Sequence, residues 1–116
     1  MYDIPCPCCG FLTFRGAYGS YNVCALCDWE DDGVQLANPT SDGGANSLSL
    51  ADAQTIAISK YPENIGLVNG YSRSPHWRRM NISELQAANA RKALEHWHTI
   101  GICEESEAYW SVTRIA

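Results

Sequence analysis

Basic side chains are scarce in the first half of this 116-residue chain. Arg15 is the only Lys or Arg among residues 1–52, against seven acids, Asp3, Asp28, Glu30, Asp31, Asp32, Asp42 and Asp52. The formal charge of that half is therefore -6, while residues 53–116, with seven basic and six acidic groups, carry +1. Lys and Arg neutralise phosphates in nucleic-acid complexes, so the N-terminal half is a poor nucleic-acid surface. Long apolar runs are also missing, and none approaches the ~20 residues a transmembrane helix needs. The opening Met-Tyr-Asp-Ile-Pro-Cys has neither the basic nor the apolar region of a secretory signal, so a reducing cytoplasm is the expected compartment. No G-x-S-x-G, H-E-x-x-H or phosphate loop occurs, which argues against an enzyme. Repeats and low-complexity segments are lacking too.

Cysteine, in contrast, is abundant and ordered. Cys6-Pro7-Cys8-Cys9 and Cys24-Ala25-Leu26-Cys27 give C-x2-C-x14-C-x2-C within the first 27 residues. Two such knuckles bring four sulfurs to the ~2.3 Å that Zn²⁺ prefers, and an all-thiolate set leaves no open coordination position. The expected cofactor is one structural Zn²⁺ on Cys6, Cys9, Cys24 and Cys27. Gly10 supports this, because a glycine after the second cysteine lets the chain leave the knuckle with positive φ. A disulfide framework or a redox dithiol is the competing reading. Counting alone does not separate Cys6/Cys9 from Cys6/Cys8, although C-x2-C is the better knuckle spacing. Cys8 is then a redox-sensitive thiol or, more simply, an apolar filler, and Cys103 reads as a filler as well.

The expected architecture is a small α+β domain covering residues 1–116, with a zinc-ribbon subdomain at 1–35 and a helical portion at 36–116. In the ribbon, Phe11–Phe14 and Tyr21–Val23 read as paired strands around a Gly-containing turn. Trp29 is expected to pack over the metal, with the acids beside it at a solvent edge. Residues 33–49 read as a loop. Ser49, three residues before Asp52, starts a mostly buried helix from Leu50 to about Tyr61, which Pro62 stops. After an irregular stretch, Ser83 and Gln86 signal a second helix from Glu84 to about Ile100, with Gly101 as its stop. Ala90, Ala93, Leu94, Trp97 and Ile100 form its docking face. His96 and His98 do not suit joint chelation, and Ala108–Ile115 reads as a last strand or extended cover.

Two surfaces are candidate contacts. Asp28, Trp29, Glu30, Asp31 and Asp32 form an acidic edge that is either a solvated face or a lure for a basic partner. Tyr71, Arg73, His76, Trp77, Arg78 and Arg79 form a basic-aromatic cluster that can stack on bases or grip phosphates. The same arginines can equally pair with Glu30, Asp31 and Asp32 inside the fold.

The run Cys6-Pro7-Cys8-Cys9-Gly10, Gly19-Ser20-Tyr21, Cys24-x2-Cys27, Trp29-Glu30-Asp31-Asp32 and Gly44-Ala45-Asn46-x-Leu48-Ser49-Leu50 resembles the bacterial cysteine-rich CPCC family over roughly residues 4–60. Ala25 departs from the proline common in the second knuckle, and Ala53-Gln54-Thr55-Ile56 from a more polar, basic run; neither touches a ligand position. The resemblance implies a small zinc-ribbon protein and an immunity role beside a toxin. The expected function is therefore a zinc-stabilised protein-interaction module that neutralises a basic toxin domain. The alternative is a nucleic-acid-binding zinc ribbon.

Overall fold

The structure is a computed structural model, described here over residues 2–112. It is an α+β domain built around the two knuckles. β1 (Ile4–Pro5) and β2 (Leu12–Phe14) flank the first knuckle and pair antiparallel, Ile4 with Phe14 and Pro5 with Leu12. The expected partner of β2, Tyr21–Val23, lies elsewhere. It closes the second knuckle instead, with Val23 bridging Glu30 and the Tyr21 N–H donating to the Asp31 carbonyl at 2.9 Å. Each knuckle is thus sealed by its own flanking arms, which is the pairing with the shortest loop to close.

The stretch expected to be all loop contains α1 (Gly33–Ala37), capped by the Asp32 side chain. Gln35, fully buried, then holds the following loop through its amide. Its Nε2 donates to the carbonyls of Asn46 and Leu48 at 3.2 and 3.1 Å, and its Oε1 accepts from the Asn46 N–H. α2 (Leu50–Lys60) begins at Ser49, whose Oγ accepts the Asp52 N–H. This helix buries Leu50, Gln54 and Ala57 but leaves Ile56 60% exposed, so it is half-buried where a mostly buried helix was expected.

β3 (Leu67–Val68) and β4 (Tyr71–Ser72) form a second hairpin, and the bridge from Arg73 to Phe11 docks it on the first. α3 (Ile82–Leu94) starts two residues earlier than expected, on an Asn81/Glu84 capping box rather than Ser83/Gln86. It also stops at Leu94, short of Ile100. The chain beyond is pulled back to α1 by side chains: Asn38 donates to the Thr99 carbonyl and accepts the N–H groups of His98 and Thr99, and Ser41 donates to the His96 carbonyl. Consequently the expected docking face is not buried; Leu94 is 89% exposed, and Ile100 and Trp97 are also exposed. The end of the described chain is a 3₁₀ turn at Glu105–Glu107 and then a turn rather than a strand. Trp110 is buried there, edge-on to Tyr18 at 6.1 Å. Thr113 to Ile115 lie outside the described residues.

The core joins the knuckles to these elements. Phe11 and Leu50 are fully buried, with Phe14, Leu26, Trp29, Leu36, Trp77 and Trp110 around them. Each such side chain contributes about 2 kcal/mol of burial. No helix among the described residues is long and apolar enough to cross a membrane.

Candidate metal centre

The two knuckles are built alike. In the first, the Gly10 N–H donates to the Cys6 carbonyl and the Cys6 N–H to the Phe11 carbonyl, both at 2.8 Å. In the second, the Asp28 N–H donates to the Cys24 carbonyl at 3.1 Å and the Cys24 N–H to the Trp29 carbonyl at 2.8 Å. Residues 10 and 28 both have positive φ, which turns each chain away once its second cysteine has been delivered. Gly10 has a further reason to be glycine, since a Cβ there would overlap the Trp77 ring.

The knuckles face each other. The sulfurs of Cys6, Cys9, Cys24 and Cys27 all lie within 4.8 Å of one another, with three of the residues buried and Cys27 half-buried. Cys6 to Cys27 is 3.6 Å and Cys9 to Cys24 is 3.8 Å. These distances are far beyond the ~2.05 Å of a disulfide. They match the S···S edge of about 3.8 Å in a tetrahedron whose centre is ~2.3 Å from each sulfur. Two donors support the Cys24 sulfur, Thr13 Oγ1 at 3.2 Å and the Leu26 N–H at 3.4 Å. The residues present therefore fit a tetrahedral, thiolate-liking metal ion.

The chain belongs to the cysteine-rich CPCC family, whose model it matches over residues 4–66. The matched region contains both knuckles, α1 and α2. The second hairpin and α3 follow it.

The electrostatics of the CPCC cluster show what a metal would relieve. Burial, then contact with Cys24, holds the Cys6 thiol well above its ordinary value, and contacts with Cys24 and Cys27 push Cys9 up. Contact with Cys27 opposes ionisation of Cys24, but donation from Cys6 and Cys9 outweighs it and brings Cys24 to about 7. Cys27 is pulled far down by the neighbouring thiols, Cys24 first. Four thiolates this close in a buried site are not tolerated without a cation, so protons stay on part of the set; a bound divalent ion would replace them.

Cys8 is buried beside this set but outside the four mutually close sulfurs. Contact with Cys27, then burial, pushes its thiol up, the direction opposite to that of an activated thiolate. Cys103 was expected to fill space too, yet it is exposed.

The acidic edge does not exist as a continuous surface. Trp29 is 3% exposed and belongs to the core, and its indole N–H has no acceptor among the described residues. Asp31 is 1% exposed; it accepts from the Ser20 N–H and hydroxyl at 2.9 and 2.6 Å. Asp32, also buried, accepts from the N–H groups of Val34, Gln35 and Ala45. Short acids after a turn are drawn to orphan backbone donors, and this wins over solvation here. Only Asp28, which is exposed, and Glu30, which is half-buried, remain available.

The basic-aromatic cluster is likewise spent internally, though not on the acids expected. Arg73 donates to the carbonyls of Cys9, Tyr61, Pro62 and Ile65 and lies 4.4 Å from the Phe11 ring centroid. Trp77 is buried and donates to the Pro7 carbonyl at 3.1 Å. Arg78 makes a two-pronged ion pair with Glu84 at 2.7 and 2.9 Å, and Arg79 reaches the Thr55 hydroxyl at 3.3 Å. Arg73 and Trp77 thus brace the back of the first knuckle. Sequence reasoning missed this, along with the hub roles of Gln35 and Gln54. Gln54 joins the Pro7 carbonyl, the Tyr109 hydroxyl and the Met80 N–H.

Proposed function

We propose that the CPCC cluster holds one structural Zn²⁺ and that the chain is a protein-interaction module, an inhibitor of a cationic protein such as a toxin domain, rather than an enzyme. The observation that supports the metal reading is the gathering of four cysteine sulfurs within 4.8 Å of one another, a donor set suited to coordination by four protein thiolates. Such a site has no position left for substrate or water. What zinc would supply is a fixed junction between the two knuckles, added to the core packing they already share. The chain's own residues do the rest: the positive-φ exits orient the sulfurs, and the Leu26 amide and the Thr13 hydroxyl stabilise the Cys24 thiolate.

The sign of the partner follows from charge. Residues 1–52 carry -6, and four thiolates around one Zn²⁺ add two further negative charges. A cationic partner would be steered toward this half. The arrangement weighs against the nucleic-acid reading, because Arg73 and Arg78 are already committed to internal acceptors.

Co-expression with the product of the neighbouring gene, followed by purification and calorimetric titration, tests the proposal. A stoichiometric complex that forms with zinc and is lost on chelation is expected. Absence of a complex, together with salt-sensitive binding to RNA, would overturn it.

A further inference from the structure

A groove of about 490 Å³ lies beside the metal centre, between the second knuckle and the outer side of α2. That volume falls within the ~300–1,000 Å³ of clefts that hold ligands. Its lining places two exposed aliphatic side chains, Leu48 and Ile56, in the same groove as Cys27 of the cluster. Leu48 is 42% and Ile56 60% exposed. Both leave apolar area in water at these positions.

The groove also has a sign. Asp28 and Glu30 line it, and neither has an ion-pair partner among the described residues. Lys60 is the one cation in the lining; it reaches the Leu26 carbonyl at 3.5 Å and lies 5.2 Å from the Tyr61 ring centroid. With a filled metal site the Cys27 sulfur brings the cluster's negative charge to the same edge. A second copy of this chain is a poor occupant, since a two-fold contact would set these acids against themselves. Phosphate-bearing ligands are repelled for the same reason.

We propose that this groove docks a segment of a protein partner that carries one large apolar side chain flanked by Lys or Arg. The apolar residue seats between Leu48 and Ile56, and the flanking cations face Asp28 and Glu30. This rests on the interaction-module reading and names the docking site within it. Burial of an anchor in a desolvated apolar centre supplies the affinity, while the acids set partner choice and encounter rate.

Selection from a displayed random-peptide library against the zinc-loaded protein tests it, followed by fluorescence anisotropy of the enriched peptides with wild type, Ile56→Lys and Glu30→Lys. The expected peptides have one large apolar residue between basic ones. Ile56→Lys should weaken them at least tenfold and Glu30→Lys about threefold, with zinc content and melting temperature retained in both. Peptides without a basic consensus, equal affinity for Ile56→Lys, or no enrichment would overturn the groove. So would a concentration-dependent dimer abolished by Ile56→Lys. A partner that binds wild type and Ile56→Lys alike removes the groove but leaves the module, whereas a wild type that binds no protein removes both.

Discussion

Gly10 and Asp28 occupy the same place in two different knuckles, each directly after the second cysteine of its pair, with φ of 80° and 66°. One position is glycine and the other is not. The difference lies in what stands opposite: the Trp77 ring covers Gly10, whereas Asp28 is exposed. Gly10→Ala therefore combines a left-handed backbone with a steric overlap and should cost about 3 kcal/mol or more in urea unfolding. Asp28→Gly should be neutral or stabilise by up to about 1 kcal/mol, because it relieves the backbone without opening a cavity.

Arg73 is expected to behave as a structural brace. Its guanidinium serves four carbonyls in one plane-limited arrangement, which a lysine ammonium does not reproduce. Arg73→Lys should lower stability by about 2 kcal/mol, read from the denaturation midpoint at unchanged slope. A change within about 0.3 kcal/mol would mean that the carbonyls are served equally well by water.

The knuckles were legible because C-x2-C spacing and a following glycine encode local geometry. Pairing was less so, since β1 is two residues ending in Pro5 and carries no strand signature of its own. The acids illustrate the limit best. Asp28, Glu30, Asp31 and Asp32 are alike by charge, yet Asp31 is buried on the Ser20 N–H and hydroxyl and Asp32 on the N–H groups that start α1, and the other two are not buried. One signal was available: Asp32 stands three residues before Gln35, the spacing of a capping box, and it would have found α1. Likewise Asn81, three before Glu84, is the cap that actually starts α3. The exposure of Leu94 and Ile100 was not readable from helical periodicity, because it depends on Asn38 and Ser41 capturing the chain some 55–61 positions away.

Charge reversal should separate these acids. Asp32→Lys removes a cap and places a cation among N–H donors, so it should destabilise by about 2 kcal/mol or more. Glu30→Lys should change stability by less than about 1 kcal/mol. Thermal melts at fixed zinc concentration compare the two directly.

Nucleic acid should bind weakly. At physiological salt, where screening acts over ~8 Å, the spent arginines leave little to grip phosphates. Titration with single-stranded RNA and duplex DNA should give no binding tighter than about 100 μM, near the non-specific limit. Micromolar binding weakened by Arg79→Ala would favour the ribbon alternative.

Folding of the two knuckles and partner binding are both expected to depend on the metal. Elemental analysis of the purified protein, wild type beside Cys24→Ser and Cys8→Ser, tests it most directly. One zinc per chain is expected in wild type and in Cys8→Ser, with loss of zinc and of the folded melt in Cys24→Ser, because the cluster's binding energy is folding energy. Metal-free wild type that melts cooperatively, or zinc retained at one per chain in Cys24→Ser, would contradict it.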